Sequence, residues 1–214
     1  DVRVIVISGK GRKAFCAGAD ISQFEKNRSS EDATIIYNET VSKASIGLAN
    51  FTKPTIAKIE GFCIGGGLGI AMCCDIRIAN DVSSYAIPAA KLGLGYGHEG
   101  LKRLVDVVGP SVAKEIFFTA RQFTAQEALG MGLINRIVPR TVLDSYVADY
   151  ANRIAENAPL TIHAAKVVID ELKKAEDMDQ DLCDRVVADC FASEDYQEGR
   201  KAFMEKRNPK FKRR

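Results

Sequence analysis

Gly61-Phe-Cys-Ile-Gly-Gly-Gly67, followed by the uncharged residues 68–74 and then Asp75, is the stretch on which the fold turns. An apolar segment without a single charge reads as a helix buried on nearly all sides, and three glycines in a row set its start. Before it, Thr55-Ile-Ala-Lys-Ile59 reads as a short strand; after it, Asp75-Ile-Arg-Ile-Ala79 reads as another. Strand, glycine loop, helix and strand in succession predict parallel crossover units rather than hairpins, because each return passes through a helix. The predicted class is α/β.

The outer segments extend this reading. Residues 2–8 are apolar and β-branched apart from one Arg, which predicts a strand buried on both faces, and Gly9-Lys10-Gly11 turns the chain. Apolar residues recur at helical spacing over 31–51, and Lys53-Pro54 imposes an extended exit. After Gly109-Pro110, amphipathic helical patterns follow at 111–118, 124–131, 141–157 and 161–174. Thr124-Ala-Gln-Glu127 has the order of a capping box, with Gly130 and Gly132 closing that short helix. No internal repeat and no low-complexity linker divides the chain.

Composition narrows the function classes. The 214 residues carry a formal net charge of +2 and 46% hydrophobic residues, which excludes disorder and histone-like nucleic-acid chemistry. A domain this long buries about 70% of its unfolded surface without disulfide or metal staples. No stretch approaches the roughly 20 apolar residues needed to span a bilayer, and the first residues read as a strand rather than a secretion signal. The six cysteines read as free thiols and place the protein in the cytoplasm or another reducing compartment such as the mitochondrial matrix. No CxxC pair occurs and there are two histidines, so no metal site is expected. Residues 200–214 hold eight basic side chains and one acid, a balance of +7, leaving −5 on the other 199 residues. Such a tail is suited to phosphate, or is simply a solvated charge run.

Gly95-Tyr-Gly97-His-Glu-Gly100 matches GxGxxG, but Pro88-Ala-Ala-Lys91 is a poor central strand, so a glycine-rich turn is the better reading. Two other loops bare their backbone N–H groups: Phe15-Cys-Ala-Gly-Ala-Asp20, and Gly65-Gly66-Gly67 at the start of the buried helix. Donors at a helix N-terminus stabilise a developing oxyanion without a charged side chain; the competing reading is that the glycines serve only close packing.

Ala14-Phe-Cys-Ala-Gly-Ala-Asp20, Lys53-Pro-Thr-Ile-Ala57, Gly61-Phe-Cys-Ile-Gly-Gly-Gly67, Cys74-Asp75, Thr124-Ala-Gln-Glu-Ala128, Gly132-Leu133 and Ala202-Phe-Met-Glu-Lys-Arg207 occur in the order seen in the crotonase, or enoyl-CoA hydratase/isomerase, superfamily. The resemblance covers essentially the whole chain, which starts at the strand preceding the first loop, so the family's N-terminal segment is expected to lie outside this sequence. The resemblance implies a crotonase (ClpP-like) spiral of ββα units over residues 1–139, with C-terminal helices over 140–214 that form a trimerisation region and end in a basic CoA-contacting tail. It implies trimers or dimers of trimers and no tightly bound cofactor, coenzyme A being part of the substrate; no membrane or nucleic-acid partner is expected.

Position by position, the resemblance implies that the N–H groups of Ala19 and Gly66 hold the thioester oxygen. It implies that Ala17, Asp20 and Ile21 offer mainly backbone contacts to coenzyme A, and that Phe203 and Lys206, often from a neighbouring subunit, reach its adenine and phosphates. The chain departs from the hydratase pattern at Gly69 and Ala89, where hydratases carry glutamates, and neither residue can transfer a proton. Tyr96, His98 and Glu99 are the nearby titratable candidates. Tyr96 falls where an acyl-CoA decarboxylase of the superfamily has its tyrosine, whereas Gly97 occupies the aspartate position of dienoyl-CoA isomerases and a dehalogenase. Against this, His98 and Glu99 read equally as a solvated loop pair and Tyr96 as a packed ring. His163, in a helical pattern, reads as structural.

The expected function is therefore acyl-CoA processing of the enoyl-CoA hydratase/isomerase type, a lyase or isomerase of fatty acid metabolism that stabilises a thioester enolate. Alternatives are a CoA-thioester decarboxylase or hydrolase using Tyr96 or His98, and a catalytically silent CoA- or RNA-binding relative. Pocket shape is expected to come from residues 24–48.

Overall fold

The computed structural model describes residues 2–20 and 30–212. Ile21 and the beginning of the 24–48 segment lie outside the described residues. The chain divides into two compact units.

The first unit, residues 6–51 and 55–147, contains two four-stranded sheets. One has the order β1-β3-β5-β8, from Ile5–Ser8, Thr55–Ile59, Ile76–Asn80 and Arg136–Val138. The other has the order β2-β4-β6-β7, from Ala14–Cys16, Phe62–Ile64, Ser84–Ala86 and Phe123–Thr124. Along the chain, strands β1 to β6 fall alternately in the two sheets, whereas β6 and β7 share one, and helices follow: α1 (Glu31–Ala49) after β2, α2 (Gly66–Cys73) after β4, α3 (His98–Thr119) after β6 and α4 (Ala125–Gly130) after β7. Each of the first three ββα turns thus adds one strand to each sheet, which is the expected spiral. Pairings are parallel from β2 to β4 to β6 and from β3 to β5 to β8, and β6 and β7 run antiparallel.

The deciding stretch folds as read, with one addition. Within Gly61-Phe-Cys-Ile-Gly-Gly-Gly67, residues 62–64 form a strand rather than loop, as do residues 14–16 of the first small-residue segment. Strands of three residues leave no alternation to detect, which is why periodicity misses them. The strand at residues 2–8 is shorter, Ile5–Ser8, and alternates half-buried with exposed positions because it lies at a sheet edge rather than inside the sheet.

Helix α2 buries Gly67, Leu68, Ala71, Met72 and Cys73. Its C-terminal end is closed by a buried cation: Arg77 Nη1 donates to the Cys74 carbonyl at 2.7 Å and Nε to the Leu133 carbonyl at 2.8 Å. Positive charge at a helix C-terminus satisfies otherwise unpaired carbonyls and complements the dipole. Beside it, Asp75 accepts from the Thr55 N–H (2.7 Å) and hydroxyl (3.0 Å), tying the start of β5 to that of β3. The capping box at Thr124 is formed, with the Glu127 N–H donating to the Thr124 hydroxyl at 3.2 Å and the Thr124 N–H to the Glu127 carboxylate at 2.8 Å. Helix α3 carries the 111–118 segment as the continuation of residues 98–108, bent at Gly109 (φ 76°) beside Pro110.

The second unit comprises residues 2–5, 52–54 and 148–212. It holds the end of α5 (Leu143–Glu156), then α6 (Pro159–Leu172), α7 (Gln180–Ala192) and α8 (Glu194–Met204). Buried Glu171 joins α6 to α7, accepting from the Asp179 N–H at 3.0 Å and from the Lys174 ammonium at 2.5 Å. The basic tail lies down on α8. Arg207 grips Glu198 with two nitrogens at 2.6 and 2.8 Å, the Lys212 N–H donates to buried Asp195 at 2.6 Å, and Arg3 Nη2 donates to the Phe211 carbonyl at 3.0 Å. Among the described residues no helix is long and apolar enough to cross a membrane.

Candidate active site

The site is built from the ends of two neighbouring strands. β2 and β4 are parallel partners with Cys16 opposite Cys63, so the loops leaving their C-terminal ends start side by side. The first loop turns at Gly18 (φ 101°), a left-handed conformation that disfavours a side chain. The second turns at Gly65, which caps α2, and Gly66 is the first helical residue.

The two backbones then converge. A Cβ placed on Gly66 would come within 3.9 Å of the Ala19 nitrogen, and one on Gly18 within 3.7 Å of the Gly66 nitrogen. At Gly67 a Cβ would sit 2.1 Å from the Cys16 carbonyl oxygen, so only glycine lets helix and loop approach this closely. Among the described residues no carbonyl accepts from the N–H of Ala19 or Gly66, whereas neighbouring Gly65 donates to the Ala86 carbonyl at 2.8 Å. Ala19 and Gly66 are exposed. Two unengaged N–H groups side by side, one of them at the positive end of a helix dipole, can receive an oxygen on which negative charge develops. Ala17 and Asp20 lie exposed on the same first loop.

Gly69, one turn into α2, is half-buried, and a Cβ there would meet no atom within 4 Å; Ala89 is buried in a 3₁₀ turn spanning Pro88–Leu92. That turn, rather than a strand, precedes the GxGxxG match, so the context of a dinucleotide site is missing.

The three titratable candidates differ in setting. Tyr96 is half-buried, its ring edge-on to Phe117 at 5.0 Å and 78°, and among the described residues its hydroxyl takes no hydrogen-bond partner. Burial, with Tyr37 close by, raises its pKa and so keeps the phenol protonated. Glu99 is exposed and accepts from the Ser42 hydroxyl at 3.0 Å, which links the first turn of α3 to α1. His98 is exposed at the start of α3. Tyr37 and Ser42 were invisible to sequence reasoning, because a helix pattern does not say which partner its polar side meets.

In the helical unit, Phe203 is 82% exposed near the end of α8, and Lys206 is exposed just beyond it with φ 53°. His163 is half-buried on α6. Also on α6, Ile162, Val167 and Val168 are half-buried, whereas Leu172 is 63% exposed. Among the described residues no cluster of His, Cys, Asp and Glu has the arrangement of a metal site, and all six cysteines are free.

The family model described as Enoyl-CoA hydratase/isomerase matches residues 1–214. The short-chain-enoyl-CoA hydratase of Clostridium acetobutylicum is 36% identical over 211 residues, 97% of this chain and 79% of that protein. The methylmalonyl-CoA decarboxylase of Escherichia coli is 33% identical over 215 residues, 99% and 81% of the two chains. Among solved structures, an enoyl-CoA hydratase/carnithine racemase from Magnetospirillum magneticum superposes with a TM-score of 0.95 at 34% identity, covering all of this chain and 79% of that one.

Proposed function

Since the chain belongs to the enoyl-CoA hydratase/isomerase family, we propose that it is an acyl-CoA-processing enzyme in which Ala19 and Gly66 form the hole for a thioester oxyanion. The observation that carries this is the close approach of Ala19 and Gly66, whose N–H groups donate to no carbonyl among the described residues, with Gly66 at the start of a buried helix. When the α-carbon of a bound thioester loses a proton, or a carboxylate as CO₂, the electron pair moves onto the carbonyl oxygen. Two N–H donors and the α2 dipole stabilise that charge, and they need no reorganisation to do so.

The remaining proton transfer needs a side chain, and Gly69 and Ala89 offer none. Tyr96 is the strongest of the three candidates, being shielded, protonated and without a hydrogen-bond partner among the described residues. In this reading His98 and Glu99 border the same loop, and Ala17, Asp20 and Ile21 follow the coenzyme A moiety with Phe203 and Lys206. Coenzyme A enters as part of the substrate.

A second reading is favoured by the same tyrosine. Decarboxylation breaks a C–C bond to give CO₂ and an enolate, and so needs an oxyanion hole and one proton donor but no base to activate water. The likeness to a methylmalonyl-CoA decarboxylase supports it. Turnover of a panel of enoyl-CoA and malonyl-type CoA thioesters decides between them. Slow crotonyl-CoA hydration with faster conversion of another thioester is expected; rapid hydration would overturn the role given to Gly69 and Ala89, and no turnover of any thioester would overturn the enzyme reading.

The exposed apolar side chains of the helical unit, Ile169, Leu172, Phe191 and Phe203, support a homo-oligomer, trimer or dimer of trimers, testable by sedimentation. The free thiols support a reducing compartment such as the cytoplasm.

A further inference from the structure

Within the helical unit, side chains from residues 2–3, 52–54 and 154–163 line a small cavity of about 30 Å³. Its lining is unbalanced in charge among the described residues: Arg3, Lys53 and His163 contribute basic side chains, and none of the described lining residues is acidic. Two nitrogens there are buried without a partner, Nη1 of Arg3 and Nδ1 of His163. The other terminal nitrogen of Arg3 is committed to the Phe211 carbonyl, a neutral group that leaves the guanidinium charge unanswered. Helix α6 begins at the same place, with Asn157, Pro159 and Ile162 in the wall, and its N-cap residue Ala158 supplies no side-chain acceptor.

A buried donor left unpaired costs about 1–3 kcal/mol, and more when it is charged. Water would satisfy the donors but not the charge, whereas an anion answers both and also meets the positive end of the α6 dipole. We propose that this cavity is a binding site for a small oxyanion, a phosphate or carboxylate group, held by Arg3 and His163 with Lys53 at its rim. The ligand draws together three segments that are distant in sequence, so its binding stabilises the helical unit by mass action.

The chain has two histidines, which makes the test direct. In the full chain labelled with ¹⁵N-histidine, with His98→Gln used only to assign the signals, sodium phosphate and sodium acetate are titrated at constant ionic strength. The expected result is a saturable movement of the His163 imidazole signals, together with a rise in melting temperature. Arg3→Gln weakens the affinity by about tenfold or more, the value of one hydrogen bond to a charged group. Tighter binding of phosphate identifies a phosphate group as the ligand, and tighter binding of acetate a carboxylate. The proposal is overturned if the signals respond equally to sodium chloride, if they drift without saturating, or if Arg3→Gln retains full affinity. Should Arg3→Gln fail to fold, Lys53→Gln and the parent titration decide in the same way.

Discussion

The paired glycine loops and the stretch from Pro88 to Gly100 were the two regions from which chemistry was expected, and they are built on opposite principles. The loops present backbone: Gly18, Gly66 and Gly67 are packed so closely that a Cβ at Gly67 would strike the Cys16 carbonyl at 2.1 Å. The Tyr96 region presents side chains, and these are held by unrelated neighbours: Tyr96 by Phe117 and Glu99 by Ser42. Backbone chemistry leaves a mark in sequence because only glycine permits the conformation and the approach. Side-chain chemistry leaves a residue type, and its use depends on what the fold brings near.

The sharpest way to break this contrast is to remove one hydroxyl. Tyr96→Phe keeps the ring and its contact with Phe117, so stability should hold while turnover falls by about 100- to 10,000-fold, the usual worth of a positioned acid. Unchanged kcat with the best thioester would show that Tyr96 only packs. Gly66→Pro tests the other region. Proline is tolerated at the first helical position, so the helix should survive without that N–H, and kcat should fall by about 100- to 1,000-fold. A folded variant with parental kcat would disprove the hole.

Gly67→Ala asks whether the approach of the two loops is obligatory. Forcing a methyl against the Cys16 carbonyl should cost about 1–3 kcal/mol in denaturant unfolding, and parental stability would mean the loops have room to part. Ser42→Ala should cost roughly 1 kcal/mol or less, since its bond to Glu99 is exposed, and turnover should change little; a large loss of kcat would move Glu99 into the chemistry.

The smallest effect is expected outside both regions. Arg207, with help from the Lys210 N–H, holds the Glu198 carboxyl down at about 2, against an ordinary value of 4.5. A depressed carboxylate stabilises the fold fully above its ordinary value and loses that contribution as pH falls towards its folded value. Stability measured from pH 5 downward should therefore decline less steeply in Glu198→Gln than in the parent. Equal slopes would mean that the tail is not latched to α8 at Glu198.

Sequence by itself determined the α/β class, the crossover succession, the capping box at Thr124 and the two glycine loops, because each rests on local chemistry: periodicity, a hydroxyl three residues before a carboxylate, or a backbone only glycine can adopt. Only the tertiary structure decided that residues 14–16 and 62–64 are strands, since three residues show no period and their pairing partner lies almost fifty positions away. It also decided that Ala19 and Gly66 present their N–H groups side by side, that Glu99 is engaged by Ser42, and that Arg207 in the basic tail is paired with Glu198. These are relations between segments separated along the chain, and no local pattern encodes the distance across which they meet.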